Sequence, residues 1–210
     1  MPPIRSRAAL SLVIGQPPQE VTDADLARSL VAGADWALPE VWHRFAPMVL
    51  TTAERTLGSK AEAEDLAQEV FCRMLRNAKT LRDPDSLRSF IYSITVRALK
   101  SHLRYRRLRA WLSFQSPEQL VDLRHSTLDI ESRDLLRKFY TLLDRLTPRA
   151  RLVFILRRVE TMTVEEIAAT MDLSTSTVKR SMTQASNRLS RWIDADPGLA
   201  RVLDGKRLAR

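Results

Sequence analysis

Apolar residues recur along this chain at intervals of three and four, and almost nowhere do they alternate, so the pattern predicts helices rather than strands. Thr22 and Asp25 make a T-x-x-D start for a helix with Leu26 and Leu30 on one face and Gly33 at its end. Two helical stretches follow, one around Pro39 to Phe45 and one from Pro47 to Leu57, stopping at Gly58. Ser59 caps a longer helix, KAEAEDLAQEVFCRMLRNAK, in which Leu66, Val70 and Met74 recur beside Ala67, Phe71 and Leu75. The breaker cluster RDPDS then precedes the longest run, LRSFIYSITVRALKSHLRYRRLRAW, with Leu87, Ile91, Ile94 and Ala98 facing a core.

The period is lost in SFQSPEQLVDLRHSTLDIESRD, where Glu118, Asp122, Asp129, Glu131 and Asp134 outnumber Arg124 and Arg133, which reads as an acidic linker. It resumes from about Ser132 to Trp192. Leu135, Phe139, Leu142 and Leu146 stripe one helix; Thr147-Pro148 restarts another, striped by Leu152, Ile155, Leu156 and Val159. No spacing is shared between the two blocks. The expected fold class is therefore all-α, with two small helical domains. The expected boundaries are an arm over 1–21 containing Pro2, Pro3, Pro17 and Pro18, a first domain over 22–112, a linker over 113–131, a second domain over 132–193 and a tail over 194–210.

Charge narrows the partners. The 210 residues carry a formal net charge of +9, which favours phosphate-bearing partners through counterion release. Between Arg97 and Arg109 the six cations Arg97, Lys100, Arg104, Arg106, Arg107 and Arg109 have no acid among them; a wet surface is the plainer alternative. No apolar run approaches the roughly 20 residues of a membrane span, and AALSLVIG is short for a signal peptide; a soluble, cytoplasmic protein is expected. Cys72 is the sole cysteine, so neither an internal disulfide nor a cysteine metal site is expected, and it reads as a small buried residue. His43, His102 and His125 have no metal-ligand spacing and no glycine-rich phosphate loop is present, so the chain is read as no enzyme, with no cofactor, metal or small-molecule substrate.

One stretch, VEEIAATMDLSTSTVKRSM from Val164, has the marks of a helix-turn-helix. Thr163 and Glu166 form a T-x-x-E capping box; Ile167, Ala168 and Met171 are a buried face; Asp172 sits where the backbone must turn left-handed; Leu173 plugs the turn. Ser174 caps the second helix, and Val178 and Met182 pack it back. Thr175, Ser176, Thr177, Lys179, Arg180, Thr183 and Gln184 are left outward, suited to phosphates and to base edges in a major groove. An ordinary helical hairpin with a wet face has the same periodicity.

The two halves in this order, with AEAEDLAQEVF and the basic helix upstream and LDRLTPRARLVFILRRVETMTVEEIAATMDLSTSTVKRS downstream, resemble the extracytoplasmic-function (group IV) sigma factors of bacterial RNA polymerase, from about Thr22 to Trp192. That resemblance implies a sigma domain two and a helix-turn-helix sigma domain four. It implies that Asp65, Gln68, Glu69 and Phe71 dock the clamp helices of core polymerase's largest subunit, although Phe71 also reads as core. It assigns Arg82, Asp83 and Ser86 to a pocket for a captured minus-ten base. Phe90, Tyr92, Arg97 and Lys100 would continue the non-template-strand surface, with Arg104, Arg106 and Arg107 on phosphates; Phe90 reads equally as a core aromatic. Ser174, Thr175, Ser176, Thr177, Lys179, Arg180, Thr183 and Gln184 would meet the minus-thirty-five duplex while domain four contacts the polymerase flap.

An anti-sigma factor is a further implied partner. Relatives commonly carry Trp-Leu and Arg-Asn where this chain has Phe90-Ile91 and Val96-Arg97, and extra arginines where it has Gln184 and Ser186. Two other classes compete: a stand-alone helix-turn-helix regulator, expected to dimerise on palindromic half-sites, and an adaptor that binds polymerase or anti-sigma factor without reading DNA.

Overall fold

The computed structural model describes residues 21–113, 130–196 and 198–200. All regular elements among the described residues are helical. Helix α1 (Asp23–Ala32) is capped by the Thr22 hydroxyl, which accepts from the Asp25 amide, and ends at Gly33 with φ 77°. Helix α2 spans Ala37–Leu57 and ends at Gly58 with φ 75°. Helix α3 spans Lys60–Asn77 from the Ser59 cap. Two 3₁₀ turns, Ala78–Thr80 and Pro84–Ser86, lead into α4 (Leu87–Ser113). The downstream block comprises α5 (Ile130–Asp144), α6 (Pro148–Arg158), α7 (Val164–Met171) and α8 (Thr175–Asp194). The arm up to residue 20, the linker over 114–129 and the tail beyond residue 200 lie outside the described residues.

Three expectations are corrected. The stretches on either side of Pro47 are one helix, α2, with the proline inside it. Pro47 cannot donate to the His43 carbonyl. Both residues are exposed, where water can hydrate that carbonyl, while Val41, Phe45 and Val49 bury the opposite face on both sides of the break. Cys72 is exposed, not buried. Leu75 is 40% exposed because α3 packs on a strip centred on Leu66, Val70 and Met74, and Leu75 lies at its edge.

The core does not divide where the chain does. One apolar cluster runs from Leu26 through Phe45, Met74 and Leu99 to Leu152, Leu156, Ile167 and Val178, joining both blocks; a second, around Leu143, Ile155, Ala185 and Leu189, belongs to the downstream block. The joint is tight at Gly58, where a Cβ would meet the Tyr140 ring 2.7 Å away; at Gly33 nothing lies within 4 Å. Both glycines are left-handed, so alanine costs about 1–2 kcal/mol at either position. Gly58→Ala should therefore lower the thermal midpoint more than Gly33→Ala, the difference reporting the displaced Tyr140; equal shifts would exclude that contact from solution.

Candidate nucleic-acid interface

Local chemistry builds the helix-turn-helix as its sequence dictates. The Thr163 hydroxyl accepts from the Glu166 amide at 3.1 Å, while the Glu166 carboxylate accepts from the Thr163 amide at 2.7 Å and the Thr163 hydroxyl at 3.0 Å, two bonds that hold the Glu166 carboxyl below its usual value. Ile167, Ala168 and Met171 are buried, and Asp172 turns the chain at φ 53° and ψ 57°. The Ser174 hydroxyl accepts from the Thr177 amide at 3.2 Å and bonds the Thr177 hydroxyl at 2.8 Å, opening α8. Val178, Ser181, Ala185 and Leu189 turn inward. On the other side Ser174, Thr175, Ser176, Lys179, Arg180, Thr183 and Gln184 are exposed and Thr177 is half-buried, so the whole expected set shares one outward face.

The basic run on α4 divides in two. At about 100° per residue, Arg97, Lys100, Arg104 and Arg107 fall on one stripe, and Phe90 lies at its upstream end, half-buried against the core. Arg106 projects about 180° from Arg97. It is 7% exposed, on the side of Leu99 and Leu103, and its guanidinium donates to the Leu57 carbonyl at 3.0 Å and to Asp144 at 3.1 Å. It is therefore corrected from the phosphate-facing set. Tyr92 is turned away too: it is half-buried beside a cavity also lined by Met48, Arg88, Glu160 and Glu166. Burial, reinforced by the Glu160 carboxylate, pushes its phenol up to about 12.

The breaker loop is ordered by Asp83, whose carboxylate accepts from the Asp85 amide at 3.1 Å and the Ser86 hydroxyl at 2.6 Å. Arg82 and Asp83 are exposed and Ser86 is half-buried, next in sequence to the Phe90 end of the stripe.

On α3, Asp65, Gln68 and Glu69 are exposed on one face, and Glu69 pairs with Arg73. Phe71 is corrected from this contact surface: it is 4% exposed, with its ring centroid 4.6 Å from that of Trp42. Trp42, 42% exposed, covers Phe71 and takes its place at the surface, with Leu75 one turn along from Phe71. Trp42 is not among the residues expected from the sequence. Its signal was an aromatic on α2 next to the polar His43 and Arg44, outside the apolar strip of Val41 and Phe45. No group of three or more potential metal-binding side chains occurs among the described residues, and none of their helices is long and apolar enough to cross a membrane.

Comparison with known proteins agrees with this layout. Residues 41–109 match the family description Sigma-70 region 2, and residues 136–189 match Sigma-70, region 4. The chain is 29% identical to the RNA polymerase sigma-E factor of Streptomyces coelicolor over 77% of its length and 86% of that protein's. It is 31% identical to the ferric citrate uptake sigma factor FecI of Escherichia coli over 62% of its length and 76% of that protein's. Among solved structures, its fold is similar to that of CnrH, determined in complex with the cytosolic domain of CnrY, at TM-score 0.58 and 23% identity over 83% of this chain and 98% of that one. It is also similar to the sigma factor RpoE of Bartonella quintana, determined with the anti-sigma factor NepR, at TM-score 0.54 and 19% identity over 75% and 97%. With both sigma regions matched in order and the helices that carry them in place, the chain belongs to the extracytoplasmic-function sigma factors, the alternative sigma factors of bacterial RNA polymerase.

Proposed function

We propose that the chain binds core RNA polymerase, opens promoter DNA at the minus-ten element with residues 22–112, and reads the minus-thirty-five duplex with residues 132–193. The observation that carries this reading is the pair of separate outward surfaces: the four-cation stripe on α4 and the polar face of α8. Melting needs no fuel of its own when bases that open thermally are captured, because unstacking costs a few kcal/mol and a base pocket beside a cationic track offsets it. Arg82, Asp83 and Ser86 form the pocket, Phe90 supplies an aromatic edge, and Arg97, Lys100, Arg104 and Arg107 follow the strand's phosphates. Asp65, Gln68 and Glu69 dock the clamp helices of the largest subunit, with Trp42 as the apolar anchor and domain four on the flap.

An anti-sigma factor is the natural antagonist, a reading supported by the two fold neighbours, each determined with a bound partner. The stand-alone regulator reading leaves the α3 face and the α4 stripe without a task.

The test is to add the chain to core polymerase on a fragment library of its source genome and map the 5′ ends of the transcripts. Starts that share two sequence elements are expected. The absence of specific starts, with dimeric binding to palindromic duplexes, would replace this reading by the regulator. At a promoter found in this way, Arg180→Ala should reduce the dependence of log affinity on log salt by about 1 if Arg180 meets a phosphate, or relax selectivity at one base pair if it meets a base edge.

A further inference from the structure

The last carbonyls of a helix have no donor within it and stand at the negative end of its dipole. At the end of α2 those carbonyls are served by side chains from both halves of the chain. The Thr56 carbonyl accepts from Arg151 Nε at 2.9 Å and Nη2 at 2.6 Å, and the Leu57 carbonyl from Arg106 Nη1 at 3.0 Å. The Arg55 carbonyl accepts from the Tyr140 hydroxyl at 3.2 Å. Arg106 comes from α4, whereas Tyr140 and Arg151 come from α5 and α6. Asp144 ties them together: one carboxylate oxygen accepts from Arg106 Nη2 at 3.1 Å and the other from Arg151 Nη1. Arg151 is 2% exposed, with the Tyr140 ring beside its guanidinium. Arg55 and Glu160 add a peripheral pair at 3.2 Å.

We propose that this Arg106–Asp144–Arg151 bridge, seated on the end of α2, is a latch that holds the free protein closed and must open when it engages polymerase and promoter. The inference rests on the proposed reading of two promoter elements. Their names place them roughly 25 base pairs apart, about 85 Å of duplex at ~3.4 Å per pair. The α4 stripe and the α8 face belong to blocks sharing one continuous core. A compact body of the 163 residues described (93 in 21–113, 67 in 130–196 and 3 in 198–200) has a radius of gyration of about 15 Å, and hence a diameter of only about 40 Å. The closed form therefore cannot place both surfaces on their elements at once.

The chemistry suits a reversible joint. Both guanidiniums regain hydration on opening, and a cavity of about 550 Å³ between the blocks, lined by Met48, Tyr92, Met162 and Thr170 among others, leaves part of the joint unfilled. Removing Asp144 penalises only the closed form: Arg106 keeps the Glu62 carboxylate at 3.4 Å, but Arg151 loses its carboxylate partner while still buried, whereas in the open form both guanidiniums are hydrated. The opening equilibrium should shift by on the order of a hundredfold.

The experiment measures the separation of the blocks in the full chain by pulsed electron paramagnetic resonance. Spin labels go on Thr51→Cys in α2 and Ser190→Cys in α8, with Cys72→Ser removing the native thiol; both labelled positions are exposed. The free parent should give one short, narrow distance, replaced by a longer one on core polymerase. Asp144→Ala should populate the long distance without polymerase. Tyr140→Phe, which removes only the hydroxyl, should do so more weakly, and it decides the matter if Asp144→Ala loses its helical circular dichroism. A short, narrow distance retained by the folded variants, or by the parent on polymerase, overturns the latch. Promoter-specific transcription is scored separately on the same samples, so a chain that starts transcripts without lengthening refutes the latch alone. A chain that binds no polymerase refutes the sigma reading, while its free-state distances still decide the latch.

Discussion

The double substitution Asp65→Lys, Glu69→Lys is expected to lower affinity for core polymerase by at least about a hundredfold and to leave the fold intact. Both side chains are exposed on α3, so their replacement should change stability by no more than about 0.5 kcal/mol. If the proposed docking holds, two attractive contacts become repulsive, and like-charge juxtaposition at an interface costs several kcal/mol, with about 1.4 kcal/mol for each tenfold in affinity. The lysine at position 69 also faces Arg73, the present partner of Glu69. Titration of fluorescent chain with core polymerase reads the effect, and thermal melting checks the fold. Undiminished affinity would remove the α3 face from the docking surface. Trp42→Ala should weaken the same interaction by removing a half-exposed aromatic anchor, whereas buried Phe71 contributes only by supporting Trp42.

The second large effect is expected from Arg97, Lys100, Arg104 and Arg107 replaced together by glutamine. Glutamine keeps the helix propensity of these positions and a polar, though shorter, side chain while removing four positive charges from one stripe. If all four neutralise phosphates of a separated strand, the salt slope of promoter binding falls by about 3, at ~0.7 per contact. Open complexes should be lost while core affinity is retained, because the stripe is remote in role from the α3 face. Salt-dependent binding and permanganate reactivity of promoter thymines measure the two halves of this result. Wild-type melting by the quadruple variant would remove the stripe from the mechanism. Arg106→Gln differs in kind: its side chain faces Leu57 and Asp144, so its first effect is on the closure of the two blocks.

These contrasts show what a single sequence makes legible. The capping box of Thr163 and Glu166, the left-handed Asp172 and the Ser174 cap are all settled within four residues of chain, and the structure has each as expected. So are the caps at Thr22, Ser59 and Thr147. Where the outcome depended on what packs opposite, periodicity was insufficient. Phe71 and Leu75 both sat at the edge of the α3 strip. Trp42 from another helix decided that Phe71 is covered and left Leu75 in the open.

Pro47 reads as a break because its lost hydrogen bond is local, whereas the burial that keeps α2 continuous on both sides is not. Charge groups Arg106 with its neighbours, although its position one turn after Leu103 places it on the core side. What the sequence could not disclose was its partner Asp144, brought beside it across 38 positions of chain. The shared core of the two blocks was invisible for the same reason, since an apolar stripe does not say which helix will cover it.

The most direct test of the account is permanganate footprinting of a promoter bearing a mapped start, in the presence of core polymerase and this chain alone. Unpaired thymines around the minus-ten element, appearing only when both proteins are present and without nucleoside triphosphate hydrolysis, are the expected result. A duplex that stays closed under those conditions, while the chain without polymerase occupies it as a dimer, would contradict the assignment of promoter opening to this protein.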